Sequence, residues 1–450
     1  MLNTKNILVD SLQYKIIYFM AIAIFFQQVF VINIGGSFKI YNILSILLFI
    51  IFLFSKKIVY TKYSFYLFIA LVISPIISSL TLYFNNDLQL YYSRFPEAIN
   101  LIRFEPIVSV ISALLFSILT WVVINAIIGN KKLYLNRINI IRLFIFTGII
   151  IDLYAIYGVI FVNLLNFPDL IPSFLDFRNS KPGDQIRPSG FSSEPGTFIF
   201  MLSWIQMYLI FMRNIFQNRV KVLFLLINTI VIILTFSSMI LGIIISITIY
   251  TLLFRNKIKL LLYTFIIVSI ITSSIFFIKD TEYFNPLEYV LVTKVNNYLL
   301  NVNHTCDSGS FRNYTTRLGI ETFKDYPLFG TGIGSSYFFI WQHEYDLNID
   351  KFCLKINYDI PPQNTYSKFL SEQGLFGIIF VLLFFAGVLY KTYVYLRINK
   401  NDGYLKIGLI QLLFMMIIFN TVFPIGDLFL WFNMALYLNY LNFTIKGVNK

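Results

Sequence analysis

The sequence predicts an all-α polytopic membrane protein with about 12 transmembrane helices and one large periplasmic loop between spans 9 and 10. Hydrophobic residues make up 58% of the 450 residues and charged residues only 13%, whereas soluble domains carry about 25% charged residues. Apolar stretches recur along the chain, and a helix needs roughly 20 such residues to cross a bilayer. These stretches lack the alternation of barrel strands, so helices are the expected spanning structure.

Each predicted span is an apolar stretch bounded by polar residues. The spans are 14–33, 38–55, 63–83, 106–128, 140–165, 195–212, 222–236, 239–254, 260–278, 369–390, 405–422 and 427–444. The seventh and eighth spans are short and meet at Ser237 and Ser238. The sequence here allows two structures, a tight hairpin of two helices or one long helix. The first stretch lacks a small-residue cleavage site, so we expect a retained span rather than a signal peptide.

Charged residues in the loops divide between two sides of the predicted bundle. The basic side comprises both termini and the loops near 56–62, 131–142, 213–221, 255–259 and 391–406. This side holds 21 of the 35 Lys and Arg residues and only two acids, Asp10 and Asp402. The positive-inside rule therefore places both termini in the cytoplasm and the large loop on the opposite face. The net charge of +13 is a topology signal that also suits anionic lipid headgroups, and nucleic-acid binding is not expected.

The polar stretch 279–368 divides the chain into three parts. Residues 1–278 form an N-terminal membrane bundle of about nine spans, and residues 369–450 form a C-terminal bundle of about three. Both cysteines, Cys306 and Cys353, lie in the large loop, where a disulfide is permitted; the alternative is two buried free thiols. Two cysteines and two histidines at irregular spacing match no zinc-ligand pattern, so no metal is expected.

Nucleotide-binding motifs are absent from the sequence: it contains neither a Walker A sequence nor a dinucleotide fingerprint. The predicted cytoplasmic loops are too short to form a catalytic domain. We therefore expect no cofactor, and an enzymatic substrate would have to arrive already activated at the outer face.

The first candidate site is an external stretch that leads into the span beginning near Thr197. Prolines and glycines keep this stretch out of regular helix, which leaves Arg187 and Glu194 on an irregular segment, with Arg178 shortly before it. A guanidinium group suits phosphate recognition, and a carboxylate nearby can act as a general base. The alternative is an interfacial Arg–Glu pair that serves only the fold.

The second candidate site begins with Arg312 and Arg317. Residues 313–325 predict a short helix that a proline ends, and a glycine-rich turn follows. Gly330 and Gly332 in this turn allow a ligand to approach the backbone closely. The alternative is a tight turn packed within the loop itself.

The third candidate site is the start of the tenth span. Gln363 and Asn364 lie just before the helix, at an N-cap position, and Glu372, Gly374 and Gly377 follow two to three turns later. Glycine allows close packing between spans. The alternative is capping plus packing, which leaves only the polar pair facing the external cavity.

Two isolated residues complete the candidates. Asp152 lies in the middle of a span, where an acid is costly and suggests a function; the alternative is a protonated or tyrosine-paired interior acid. His343 is a candidate base, and its alternative is a solvated loop histidine.

Taken in chain order, these stretches resemble the O-antigen polymerase and ligase superfamily of bacterial surface-polysaccharide synthesis. Four segments carry the resemblance: the Arg187–Glu194 loop before a middle span, the serine-containing stretch 234–242, Arg312 with the Pro-Leu-Phe-Gly-Thr-Gly run at 327–332, and Gln363-Asn364 with Gly374–Gly377 nine residues later. They are similar, respectively, to the family's arginine-containing loop, its threonine-serine-arginine span start, its PLxGxG turn and its GxxG signature.

The sequence departs from the family pattern at two positions. Gln363 stands where the family often has histidine, and Ser238 stands where it often has arginine. The first departure disfavours a mechanism with a histidine base, and with it the ligase subgroup.

The resemblance implies a Wzy-type polymerase of the bacterial inner membrane, a glycosyltransferase of lipopolysaccharide biosynthesis. Such an enzyme joins undecaprenyl-pyrophosphate-linked oligosaccharide units on the periplasmic face. We assign Arg187 and Arg312 to the pyrophosphate and Glu194 to the base. Substrate-binding roles go to a second set of residues: Arg178, Arg317, Gln363, Asn364, Gly330 and Gly332.

The predicted partners are the lipid-linked oligosaccharide, membrane lipids, and a chain-length regulator and a flippase of the same pathway. One alternative function is an O-antigen ligase that moves finished polymer to the lipid A core. A second, of another class, is a flippase, for which we would expect paired half-repeats and short external loops.

Overall fold

The computed structural model describes residues 2–27, 31–33, 37–55, 61–83, 106–171, 188–192, 195–235, 237, 239–253, 308–336, 362, 364–419 and 428–448. The helices of this part are α1 (Leu2–Ala23), α2 (Ile40–Ser55), α3 (Lys62–Phe68), α4 (Ser74–Tyr83), α5 (Pro106–Gly129), α6 (Lys131–Leu135), α7 (Arg137–Tyr157), α8 (Pro195–Phe211), α9 (Asn218–Leu234), α10 (Met239–Leu253), α11 (Ser308–Asp325), α12 (Thr365–Ile398), α13 (Gly403–Ile418) and α14 (Leu428–Val448). Two strands of two residues each, β1 (Ile32–Asn33) and β2 (Ser37–Phe38), pair antiparallel.

The helices coincide with the predicted spans along most of the described chain. Eleven of the twelve predicted spans overlap helices, and the ninth, 260–278, lies outside the described residues. Four helical segments are long and apolar enough to cross a bilayer: Lys62–Thr81, Val108–Gly129, Arg137–Leu164 and Thr365–Ile398. Two of them contain a π-helical turn, at Ile69–Ile73 and Gly158–Leu164. The chain is therefore a multi-pass helical membrane protein.

The first helix ends earlier in the chain than the sequence predicts. We expect it at 14–33, but α1 ends at Ala23, and Ile32 already pairs with Phe38 in the small hairpin. At the end of α1, the N–H groups of Phe25 and Phe26 donate to the carbonyls of Ile22 and Ala23, three residues back, so the chain leaves the α-helix in a tighter turn.

The seventh and eighth spans are two separate helices. After α9 the chain turns at Thr235, and α10 begins at Met239. The two helices also pack on different neighbours, since α9 lies against α8 whereas α10 lies mainly against α13. This excludes the alternative of one long helix.

Several loops from the predicted basic side lie together at one end of the bundle. The side chain of Asn130 donates to the carbonyl of Asp10 at 3.0 Å, and Lys132 reaches Ser11 at 3.1 Å. Arg137 lies over the ring of Tyr440, 5.1 Å from its centroid. These contacts join the loops on both sides of α6 to the N-terminal and C-terminal helices. We name this region, built around residues 130–142, the basic end.

The segment after α11 lies against other elements. The hydroxyl of Thr81, at the end of α4, donates to the carbonyl of Gly330 at 2.9 Å. Ser109, at the start of α5, donates to the carbonyl of Gly334 at 2.8 Å. Two helices of the N-terminal bundle therefore anchor the glycine-rich turn of the large loop, which lies across the bundle from the basic end.

Candidate functional site

The candidate site is built where the glycine-rich turn after α11 meets α12. We call residues 326–336 the docking turn. Four backbone hydrogen bonds of 2.8–3.0 Å join it to the helix. They run from Thr331 N–H to the Ser371 carbonyl, from Gly332 N–H to Glu372, from Leu375 N–H to Pro327 and from Phe376 N–H to Leu328.

The docking turn is inserted into a break in α12. Gly374 has φ 63° and ψ −162°, which is not a helical conformation. A regular helix would pair the N–H of Leu375 with the carbonyl of Ser371, and that of Phe376 with Glu372. The turn supplies new partners to both N–H groups and to both carbonyls. All four backbone groups released by the break are thus satisfied, as buried polar groups must be.

Glycine is required on both sides of this junction. At Gly374 a Cβ atom would lie 2.5 Å from the carbonyl carbon of Leu328, and at Gly330, with φ 70°, it would overlap the backbone of Glu372. No other residue type allows two backbones to approach so closely. From the sequence we expect a ligand to approach the backbone closely at Gly330. In the structure, the backbone of α12 makes this close approach instead. Gly332 is also buried in the turn, and its Cβ position faces the carbonyl of Ser78 at 3.3 Å.

Of the two glycines predicted to pack spans together, only Gly377 does so. Its Cβ position lies 2.8 Å from the hydroxyl of Ser74 on α4, so the neighbouring helix lies against it directly. Gly374 has the different role just described.

Helix α11 is fastened to the first turn of α12. The hydroxyl of Ser367 donates to the carbonyl of Thr316 at 2.7 Å, and Gly319 lies against Ser367 and Pro362. Asn364 is the N-cap of α12, as predicted: its side-chain oxygen accepts from Tyr366 N–H at 2.9 Å and from Ser367 N–H at 3.2 Å. This oxygen is thus engaged with the protein backbone.

Arg312 and Arg317 both lie on α11 and are partly exposed. Within the described residues, no ion pair or hydrogen bond engages either guanidinium group. The two residues are five positions apart, which places them about 140° apart around the helix axis. The helix therefore presents two uncommitted cations, but not on one face.

Three further polar residues, Ser336, Lys368 and Glu372, lie together at the junction, and none of them has a function predicted from the sequence. The hydroxyl of Ser336 donates to Oε1 of Glu372 at 2.8 Å, and the ammonium of Lys368 lies 3.8 Å from the same oxygen. The side chain of Glu372 is 5% exposed and that of Lys368 is 21% exposed. The spacing of Lys368 and Glu372, four residues apart on a helix, is the sequence signal that indicates such a pair.

In the segment that precedes α8, the structure describes residues 188–192, which lie between Arg187 and Glu194. Gly190 has φ 57°, and its Cβ position lies 2.7 Å from the ring of Phe198 and 3.0 Å from Ile151. Ser189 and Ser192 on either side are buried. Residues 188–192 therefore form a buried turn packed between α7 and α8.

Several predicted residues lie outside the described part of the chain. They are Arg178, Arg187, Glu194, Cys306, His343, Cys353 and Gln363. The roles that we assign to them, and the predicted disulfide, remain predictions.

Asp152 lies inside α7 and is fully buried. Among the described residues, neither of its carboxyl oxygens has a hydrogen-bond partner. Tyr154, two residues further on, donates instead to Asp169 at 2.7 Å. A tyrosine-paired Asp152 is therefore not observed in this part of the chain.

Comparison with known proteins identifies one family. Residues 222–382 match the family model described as O-Antigen ligase. The matched segment begins in α9 and contains α11, the docking turn and the break in α12. No curated protein matches the chain. The family match gives no support to the flippase alternative.

Proposed function

We propose that this chain, whose residues 222–382 match the family model described as O-Antigen ligase, is a member of the O-antigen polymerase and ligase superfamily that polymerises lipid-linked oligosaccharide units at the outer face of the bacterial inner membrane. The observation that carries the proposal is the insertion of the docking turn into the break of α12, inside the matched segment. It fixes α11, with Arg312, to α12, with Lys368. A rigid pair of helices that carries cations is a suitable frame for a pyrophosphate.

The reaction needs little chemistry from the protein because the pyrophosphate is a good leaving group. A hydroxyl of the acceptor sugar attacks the anomeric carbon of the donor sugar. The bond between that carbon and the pyrophosphate oxygen breaks, and the bonding electrons leave with the lipid pyrophosphate. The hydroxyl proton passes to a base. Positioning and stabilisation of the developing negative charge are then the main tasks of the enzyme.

Residues are assigned to these tasks as follows. Arg312 and Lys368 bind the pyrophosphate from α11 and α12, and Arg187 binds it from the segment before α8. Glu194 accepts the proton. The substrate-binding residues of secondary weight are Arg178, Arg317, Gln363 and Asn364. Gly330 and Gly332 are not assigned to the substrate, because both are buried against the backbones of α12 and α4. Glu372 and Ser336 hold Lys368 and the docking turn in place, so their role is positioning.

A ligase is the second candidate function, because the matching family model is described as O-Antigen ligase. The two enzymes share the donor and differ in the acceptor. A polymerase transfers to another lipid-linked unit, and a ligase transfers to the lipid A core. Gln363, which stands where the family often has histidine, favours the polymerase.

The test is reconstitution of the purified protein with lipid-linked repeat units and no nucleotide. A ladder of products that grows by one repeat unit at a time supports the polymerase. Transfer that occurs only after lipid A core is added, without a ladder, identifies the ligase instead. An unchanged substrate with both acceptors, in a preparation whose folding is verified by its thermal transition, contradicts the proposal.

A further inference from the structure

A groove of about 640 Å³ opens at the basic end, far from the docking turn. It is lined by side chains of α1, of α7 and of the loop after α8: Tyr14, Lys15, Tyr18, Phe19, Asn139, Arg142, Leu143, Phe146 and Phe216. We call it the α1–α7 groove. Its wall residues include two cations, Lys15 and Arg142, and no Asp or Glu.

Arg142 is held rigidly at the polar side of the groove. Its Nε–H donates to the carbonyl of Ile215 at 2.7 Å, and one terminal nitrogen reaches the carbonyl of Asn214 at 3.4 Å. Carbonyl oxygens carry no formal charge, so these bonds orient the guanidinium group without neutralising it. A guanidinium group has five N–H donors, and those that remain are available to a ligand. Lys15, which is exposed, contributes the second positive charge.

The other side of the groove is apolar and continues along the bundle. Phe19 is 60% exposed and Phe146 is 53% exposed. Ile150 and Leu153, which are also exposed, follow Phe146 at helical spacing, so they lie on the same face of α7. On a membrane-spanning helix, such an apolar strip contacts acyl chains.

We propose that the α1–α7 groove binds an anionic phospholipid, with the headgroup phosphate on Arg142 and Lys15 and an acyl chain along the strip from Phe146 to Leu153. Two cations without a neighbouring acid favour an anionic headgroup over a zwitterionic one. The apolar strip that begins at the same groove favours a lipid over free phosphate. The groove and the docking turn lie on opposite sides of the bundle, so this inference does not depend on the proposed function.

The test measures the melting temperature of the detergent-purified protein during titration with phosphatidylglycerol, phosphatidylcholine or inorganic phosphate. Phosphatidylglycerol is expected to raise the melting temperature saturably, and the other two are not. Lys15→Gln should weaken the apparent affinity for phosphatidylglycerol about fivefold, since one Lys or Arg near an anionic membrane surface contributes about 1 kcal/mol. The Lys15→Gln, Arg142→Gln double variant should show no saturable effect.

Two controls keep the outcome decisive. Lys400→Gln removes an exposed cation that is not part of the groove wall, and it should respond to phosphatidylglycerol as the wild type does. Lys15→Gln changes an exposed side chain, so it should stay folded if loss of the Arg142 bonds unfolds the double variant. An equal response to phosphatidylcholine, an equal response to inorganic phosphate, or an unchanged affinity in Lys15→Gln would overturn the proposal.

Discussion

The charged residues of the candidate site differ in how they are held. Glu372 is buried and accepts a hydrogen bond from Ser336, whereas Arg312 is partly exposed and has no side-chain partner in the described part of the chain. A cation whose charge is not paired within the protein is available to a ligand. The glycines of the docking turn, by contrast, have a structural role: because they have no side chain, the turn can approach α12 closely.

Arg312→Ala should strongly reduce chain extension and leave stability nearly unchanged, because the guanidinium group has no described hydrogen-bond or ion-pair partner to lose. Loss of one charge-assisted contact in the transition state lowers kcat/KM by at least about tenfold. Product ladders and the thermal transition of the same preparation measure the two effects. The matched control is Lys324→Ala on the same helix, which removes only an exposed pair with Glu321. Normal product length in Arg312→Ala would remove this residue from the site.

Asp152→Asn should fold with a free energy of unfolding close to that of the wild type, because the amide nearly matches the carboxyl group in volume. The carboxyl oxygens accept no hydrogen bond from the described residues, so the amide loses no partner. A denaturant titration in mild detergent measures this, and the ladder assay shows whether activity persists. If the variant folds normally but is inactive, Asp152 acts in the reaction, although none of its described contacts indicates such a role.

At the scale of elements, α12 is the helix on which the site depends. Its N-cap, its break and its contact with α4 all lie within its first four turns. The break binds the docking turn, and Gly377 contacts Ser74 of α4. The docking turn replaces the helix's own hydrogen bonds at the break. The conformations of the turn and of the helix are consequently coupled.

Gly374→Ala should destabilise the protein by at least about 2 kcal/mol, because alanine at φ 63° is strained and its Cβ would collide with Leu328. The matched control is Gly387→Ala on the same helix. There a Cβ meets only the ring of Tyr63 at 3.3 Å and the backbone is helical, so the change should be nearly neutral. Unfolding midpoints of both variants in mild detergent provide the comparison. Equal stability of the two variants would show that the turn does not insert at Gly374.

Asn364→Ala should cost about 1 kcal/mol because it removes the N-cap of α12. Asn364→Asp retains an acceptor oxygen and should keep the stability. Its negative charge should nevertheless weaken binding of a pyrophosphate substrate, which a KM measurement detects as an increase. If the Asp variant matches the wild type in both stability and KM, the role of Asn364 is capping alone.

At the scale of the whole molecule, the two polar regions lie on opposite sides of the bundle. The basic end holds Arg137 and Arg142 and the α1–α7 groove, and the other side holds the docking turn. This arrangement agrees with a protein that exposes cations to one compartment and a substrate site to the other.

Cysteine labelling tests this orientation in a background with Cys306 and Cys353 replaced by serine. Leu328→Cys in the docking turn, where Leu328 is 61% exposed, should react with a membrane-impermeant maleimide added from outside. Lys400→Cys, in the exposed turn between α12 and α13, should react only after the membrane is permeabilised. The reverse pattern would invert the predicted topology.

Hydropathy and charge along the sequence were sufficient to predict the multi-pass helical architecture, in which eleven predicted spans overlap described helices, and the polar pair before α12 predicted the N-cap at Asn364. These features are local: a span needs an apolar run, and a cap needs one side chain next to its own helix. The resemblance to the superfamily followed from short motifs, each of which is local in the sequence, and the match of residues 222–382 to the O-Antigen ligase family model supports it.

Only the tertiary structure showed that the docking turn completes the broken helix at Gly374. This junction joins residues 40 positions apart, such as Thr331 and Ser371. It depends on a backbone angle that sequence patterns do not specify, since a glycine in a helix also suits close packing between spans. The position of Ser336 beside Glu372, and the α1–α7 groove, have the same origin. Both are formed by residues that only the packing of distant segments brings together.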